Sequence, residues 1–387
     1  MSPLVRRTLV SSALVGGAVA AGAAALRHPV FGAAPEGERL ARMRRSPQWR
    51  DGRFVNPEGT RVGASPGAAW EWLTAGSADR RPGGGVPTVP RRAVSFAAPQ
   101  DLRVTWLGHS TALLEVEGAR LLTDPVWSET ASPGAAFGVR RFFEPPLPLD
   151  QIPALDAVLV THDHYDHLDW QTVRALVPRV PRWLVPLGVG AHLEAWGVPS
   201  DRITELDWWD EATIAGLRVV ATPARHFSGR TLGDRDRTLW CGWAVLGRDR
   251  RVYVTGDGGY QAAFAEVGRR LGPFDATLVE VGAYNARWAD IHMGPEQAVR
   301  AVQDARGGLM LPVHWGTFDL ALHGWTEPVE RALVAADAAG VPVAVPRPGE
   351  SVFPFAPPPP ERWWPELDWE TAAEAPVVSS GVEPVGR

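Results

Sequence analysis

Three histidines and three acidic or phenolic partners crowd into six positions of this chain, in the run His162-Asp163-His164-Tyr165-Asp166-His167. The run follows Val158-Leu159-Val160-Thr161, an apolar stretch of the kind that forms a buried strand. In an extended segment residues two apart project to one side, so His162 and His164 can share one cation. Asp166 and His167 follow as the chain turns and can supply a second. Imidazole and carboxylate suit zinc, and also manganese or iron. With only 10 histidines in 387 residues, this spacing is poorly explained by the competing reading, a polar solvated loop.

A closed two-metal site needs about three further ligands from elsewhere in the chain. Three downstream segments offer them, each at the carboxyl end of a strand candidate. Thr222-Pro223-Ala224-Arg225-His226 ends one, Val252-Tyr253-Val254-Thr255-Gly256-Asp257 another, and Leu311-Pro312-Val313-His314 a third.

The elements that must position these residues are short β-rich runs. They are Val104 to Leu107, Ala112 to Val116, Arg120 to Leu122, Ala157 to Thr161, Arg182 to Val185, Leu217 to Ala221, Leu239 to Leu246, Val252 to Thr255, Ala276 to Val279 and Leu309 to Val313. Helical periodicity covers Tyr260 to Leu271 and Gly294 to Ala305. Strands and helices mixed in this way imply a layered α/β (α+β) domain over residues 101–350. Residues 36–100, rich in Arg, Pro and Gly, show no sustained periodicity and read as an irregular N-terminal extension. Residues 351–387 open with Phe355-Ala356-Pro357-Pro358-Pro359-Pro360 and read as a Pro-rich, disordered tail.

Residues 1–35 have a different texture. Arg6 and Arg7 precede an Ala/Gly-rich apolar stretch from Leu9 to Leu26, a charged region followed by a hydrophobic one. They are expected to act as a signal peptide or membrane anchor, and Val5-Arg6-Arg7-Thr8-Leu9-Val10 is similar to an incomplete twin-arginine signal. A single uncleaved membrane helix and a cytoplasmic chain with a frayed start are the alternatives.

Composition removes several classes of chemistry. All 39 basic residues are arginine, so no lysine is available for a Schiff base. The only cysteine is Cys241, which excludes disulfide frameworks, zinc ribbons and iron–sulfur clusters. Any metal must therefore be held by His and carboxylate. The net charge of −5 provides no basic field for nucleic acid, so a polyanion is not the expected partner.

The ordered set HxHxDH, His226, Asp257 and His314 resembles the metallo-β-lactamase superfamily, whose four-layer αββα sandwich carries two metals at one edge of its sheets. The stretches VTWLGHST (104–111), LLTDPVWS (121–128), LDWW (206–209), TLWCGW (238–243), GDGGY (256–260), GPFD (272–275), GAYNARW (282–288) and HWGTF (314–318) are similar to the N-acylphosphatidylethanolamine-hydrolysing phospholipase D family. The likeness runs from about residue 100 to 350. It implies that His162, His164 and His226 hold one metal, that Asp166, His167 and His314 hold the other, and that Asp257 bridges them. A carboxylate, with two oxygens, is suited to bridging. The metals implied are two divalent ions, Zn2+ first, with Mn2+ or Fe2+ as alternatives. Gly258 stands where the family usually has Thr, and Phe227 where Trp often follows the ligand histidine.

Two such cations share a water, lower its pKa and clamp the oxygens of the reacting centre. The expected activity is hydrolysis by a metal-bridged hydroxide, as in a phospholipase D-like phosphodiesterase acting on N-acyl phosphatidylethanolamine or a related phospholipid, with association at the membrane surface. Asp166 would orient the hydroxide. His292 would position substrate or protonate the leaving group, against a plain solvent-exposed histidine at a helix start. The alternatives are a lactonase or other acyl-ester hydrolase, whose superfamily members share a related opening motif, and a catalytically inactive metal-binding protein.

Among other candidates, His109 is assigned to support of a ligand or of the loop carrying Asp124, and Asp124 to a supporting role. His28, His192 and His323 are read as structural. Arg230 or Arg287 could pair with a phosphate, against ordinary surface solvation. Most of the 18 tryptophans are assigned to the core, with a minority lining an apolar groove.

Overall fold

A computed structural model describes residues 28–61, 77–134, 138–359 and 361–381. The expected signal or anchor falls mostly on residues 1–27, outside the described residues. Among the described residues no helix is long and apolar enough to cross a membrane.

Two mixed sheets face each other. The first contains β1 (Leu102–Gly108), β2 (Thr111–Val116), β3 (Ala119–Thr123), β4 (Ala157–Leu159), β5 (Trp183–Pro186) and β6 (Ile203–Leu206), closed at its edge by β13 (Ser351–Val352) in the order β6-β5-β4-β3-β2-β1-β13. The second contains β7 (Glu211–Ile214), β8 (Leu217–Thr222), β9 (Gly242–Leu246), β10 (Arg251–Val254), β11 (Ala276–Glu280) and β12 (Leu309–Val313), in chain order. The pairs β3/β4, β4/β5, β5/β6, β10/β11 and β11/β12 are parallel and the others antiparallel.

Period-two alternation assigns each face of the first sheet. Ala157 and Leu159 of β4, Leu184 of β5 and Leu121 of β3 join the core shared with the second sheet. Their neighbours Val158, Val160, Trp183, Val185 and Leu122 turn the other way, onto a second core. That second core also holds Val173 and Leu176 of α2 (Trp170–Leu176) and Leu193 of α3 (Gly190–Ala195). Beyond the second sheet lie α4 (Ala263–Arg270), α5 (Pro295–Asp304) and α6 (Glu327–Ala339), whose Phe264, Val267, Val299, Val302, Val329 and Ala332 are buried against it. The result is the four-layer αββα sandwich. A sheet with both faces covered demands near-continuous apolar strands, and β1, β2, β4, β5, β9, β11 and β12 are buried at every residue.

The ten strand expectations and the two helices α4 and α5 correspond to elements of the structure within a few residues. Helices α2 and α3 span seven and six residues, too short for a 3.6-residue period to register. Helix α6 is Ala-rich and ends on Gly340 at φ +66, a left-handed cap.

The two flanking segments depart from expectation. Within the extension, Gly37–Arg45 forms a helix, α1, and Met43 on it is buried. Its Arg39 ion-pairs with Glu194 and Glu205, while Asn56 donates to the carbonyl of His226 at 2.7 Å. Four arginines in that nine-residue helix mask its short apolar face. The tail expected to be disordered is laid along the domain. Trp363 and Trp364 pack against Trp315, and Val377 and Ser379 are buried. The prolines restrict the backbone, while the buried indoles supply the apolar area that a disordered segment lacks. The domain also extends past residue 350, because β13 pairs with β1.

Candidate metal centre

All of the residues singled out for metal binding come together at one edge of the sandwich, where strands of both sheets end. His162 follows β4, His226 follows β8, Asp257 follows β10 and His314 directly follows β12. His109 and Asp124 follow β1 and β3. The backbone turns sharply there. His109, Asp124 and His314 all have positive φ (51°, 37° and 64°), a conformation costing a non-glycine residue about 1–2 kcal/mol. Such strain persists only where surrounding structure holds it.

The side chains form two overlapping groups. His162, His164 and His226 make one, with His164 Nδ1 at 2.9 Å from His162 Nε2 and 3.3 Å from His226 Nε2. Asp166, His167 and His314 make the other, joined by His109. Asp257 stands between them. Its Oδ2 lies 2.9 Å from His314 Nε2 and 3.0 Å from His167 Nε2, and 4.0 Å from Nε2 of both His162 and His226. The side chains of Asp166 (16% exposed) and His292 (13%) reach solvent, whereas His162, His167, His226, Asp257 and His314 are at most 2% exposed. A substrate would therefore meet Asp166, His292 and the half-buried His164 first.

The donor set fits cations. His167 Nε2, His314 Nε2 and Asp257 Oδ1 are buried without a hydrogen-bond partner, and stranded polar atoms of this kind are costly unless something else binds them. Burial and neighbouring histidines hold His162 and His226 well below the usual imidazole range, and burial brings His164 down to about 4. Neutral imidazoles are the form that binds metal. At His167 and His314 burial also favours the neutral ring, but Asp257 and Asp166 outweigh it, raising His314 to about 10 and His167 well above its ordinary value.

Supporting residues fix the orientations of the clustered side chains. Asp124 Oδ2 lies 2.9 Å from His167 Nδ1, and its two oxygens accept from the Thr161 N–H and hydroxyl. His109 Nε2 lies 2.9 Å from Asp166 Oδ2, the supporting position assigned to it. Asp163 alternates away from the cluster, accepting from Gly229 N–H and Thr238 and facing His192 at 3.3 Å. Four indoles brace the same loops. Trp243 donates to the carbonyl of Val160, Trp240 to Ala224, Trp315 to Pro312 and Trp106 to His109, each within three residues of a clustered side chain. These tryptophans are buried as expected, but they also satisfy carbonyls left free where strands stop.

Other assignments change. Arg230 is buried and spends its guanidinium on the carbonyls of Val30, Asp163 and Leu168, stacked over Tyr165. It is a brace of the His-rich loop, neither solvated nor available to a phosphate. Arg287 lies exposed in the loop after Tyr284. His28, His192 and His323 accept from the backbone N–H groups of Val30, Ala33 and Ala283 respectively.

Phe227 packs on the rings of His164 and His226 and so walls the site. A Cβ at Gly258 would sit 3.0 Å from the Arg225 backbone nitrogen, so a Thr there would require that backbone to give by a few tenths of an ångström.

One residue of the site was not anticipated. Glu280, the last residue of β11, is fully buried, accepts from Gly258 N–H at 2.6 Å and lies 3.0 Å from His292 Nδ1. Burial and the Asp257 carboxylate push it well above its usual range. A single carboxylate in an otherwise apolar strand was the available signal.

Residues 119–315 match the β-lactamase superfamily domain. The chain belongs to the metallo-β-lactamase superfamily. It is a metal-dependent hydrolase of that superfamily, and the matched span contains every clustered side chain except His109. The chain is 51% identical over 329 residues to an uncharacterized protein of Mycobacterium tuberculosis, covering 82% of this chain and 87% of that one. It is 37% identical over 240 residues to N-acyl-phosphatidylethanolamine-hydrolyzing phospholipase D 1 of Caenorhabditis elegans, covering 59% and 67% respectively. Among solved structures, Igni18, a metallo hydrolase from Ignicoccus hospitalis, shares the superfamily fold with a TM-score of 0.51 at 22% identity, covering 65% of this chain and 97% of that chain.

Proposed function

We propose that this metal-dependent hydrolase is a phospholipase D-type phosphodiesterase acting on N-acyl phosphatidylethanolamine or a related phospholipid at a membrane surface. The observation that carries the hydrolytic reading is the gathering of six ligand-type side chains, His162, His164, Asp166, His167, His226 and His314, around the buried Asp257. The substrate class draws its support from the likeness to the C. elegans phospholipase D.

In this reading His162, His164 and His226 hold one divalent ion, Asp166, His167 and His314 the other, and Asp257 touches both. Zn2+ is the first choice, with Mn2+ or Fe2+ also suited to the donors. When bound, such ions supply an activated water and offset the negative charge of the phosphoryl oxygens.

The chain's own residues do the rest. The contacts of Asp166 to His109, His167 and His314 all use Oδ2, which leaves Oδ1 to orient the attacking water. His292 Nε2 makes no hydrogen bond among the described residues, so it stands ready to hand a proton to the leaving alkoxide. Phe227 and the indole-braced loops exclude bulk water from the closed side of the cluster. Arg6-Arg7 and the apolar stretch after them support a place at or beyond the membrane.

The test is to incubate metal-loaded protein with a phospholipid panel, a generic phosphodiester and several lactones. Release of phosphatidic acid or its N-acylethanolamine co-product supports the reading. Lactone opening without phosphodiester cleavage overturns it in favour of an acyl hydrolase, and two bound ions with no hydrolysis at all point to a metal-binding protein.

A further inference from the structure

We infer that Glu280 is a positioning residue for His292, holding its ring by Nδ1 so that Nε2 is presented to the substrate. The inference rests on the catalytic reading of His292 given above and adds a residue that the superfamily likeness does not assign.

The N–H groups of Ile291 and His292 donate to the Trp288 carbonyl at 2.9 and 3.2 Å, and three further ties fix the segment around His292. His226 Nδ1 donates to the Ile291 carbonyl at 2.8 Å, and Met293 N–H donates to the Gly258 carbonyl at 3.1 Å. These two bracket the His292 backbone against the ligand-bearing segments of both His226 and Asp257. They leave its side-chain torsions free. Glu280 supplies the third tie, 3.0 Å from Nδ1, and it acts on the ring itself.

Glu280 is built for that task. It ends β11, whose register with β10 and β12 is fixed by parallel pairing, so its backbone cannot drift. One oxygen is anchored by Gly258 N–H at 2.6 Å, and the other faces His292. Both of its oxygens are thus engaged, by Gly258 and His292, although it also lies near Asp257 and His314. A carboxyl group held against Nδ1 fixes the ring's orientation, as the outer partners of metal-site imidazoles do.

The experiment compares Glu280→Ala, Glu280→Gln and the wild type as full-length, zinc-loaded chains. Metal content, kcat and KM on a phosphodiester, and the ring 15N–1H resonances of His292, assigned with His292→Gln, are measured on each. Glutamine keeps both contacts, accepting from Gly258 N–H through its carbonyl and donating to His292 Nδ1 through its amide. We expect both variants to retain their metal. Glu280→Ala should lose on the order of 10²-fold in kcat with little change in KM, and its His292 ring resonances should shift. Glu280→Gln should recover most of that turnover and hold the ring in one orientation. Wild-type kcat in Glu280→Ala, or Glu280→Gln no better than Glu280→Ala, would overturn the inference. Loss of metal in Glu280→Ala would also overturn it, by making Glu280 a ligand. If the wild type cleaves no phosphodiester, the substrate reading fails, and an unshifted His292 ring in Glu280→Ala would separately remove the positioning role.

Discussion

Asp124 Oδ2 lies 2.9 Å from Nδ1 of His167, which directs His167 Nε2 toward Asp257. Removing a carboxylate behind a metal-binding imidazole typically lowers metal affinity about 10–100-fold. Asp124→Ala should show that loss in a chelator competition titration, with the fold preserved by circular dichroism. Unchanged affinity would mean that the His167 ring is oriented by packing alone.

The indole of Trp243 donates to the Val160 carbonyl at 3.1 Å, two residues before His162. Trp243→Phe keeps most of the buried aromatic area and strands that carbonyl. The expected cost is about 1–3 kcal/mol in urea unfolding, together with weaker metal retention. A loss of stability with no effect on metal binding would confine the indole to the core.

Arg225 and Asp290 form a buried pair at 3.2 Å, next to His226 and two residues before His292. Asp290 also accepts from the N–H and hydroxyl of Ser380, which ties the end of the chain to the site. Asp290→Ala should destabilise the protein by about 3–5 kcal/mol, the usual consequence of leaving one buried charge unpaired. Truncation after Pro376 should remove part of the same support and lower turnover. Full activity in the truncated chain would show that the tail merely covers the surface.

His323 accepts from Ala283 N–H through Nε2 and contacts the Gly324 carbonyl through Nδ1, a pattern that fits only the neutral ring. Burial brings it down to about 4 from an ordinary value of 6.5. A depressed folded-state value means that the unfolded chain binds more protons below 6.5. Stability from this residue is therefore present above that pH and is lost as pH falls through about 4, by up to ~3 kcal/mol. Replacing His323 with Gln should flatten the difference in stability between pH 7 and pH 5 relative to the wild type. Parallel pH profiles for the two proteins would contradict the assignment.

Much of the centre was legible in the sequence because its residues sit in local patterns. The run from His162 to His167 follows a continuous apolar strand, and His226, Asp257 and His314 each sit just past another. Strand ends are where an αββα sandwich can expose side chains without opening its core. Glu280 escaped notice because it closes a strand that is otherwise apolar or small, and only the neighbouring β10 and β12 reveal what it faces. Arg230 was misassigned for a related reason. Its acceptors are carbonyls of Val30, Asp163 and Leu168, which no side-chain pattern announces. The tail misled through composition, since its prolines obscured Trp363 and Trp364, whose burial depends on the distant Trp315.

The most direct test of the two-ion account is the metal content of the purified wild type and of Asp257→Ala, measured by inductively coupled plasma mass spectrometry beside hydrolytic turnover. The account predicts about two ions per wild-type chain, and in Asp257→Ala a collapse of both metal content and turnover. Asp257→Ala with both ions retained and full activity would contradict it.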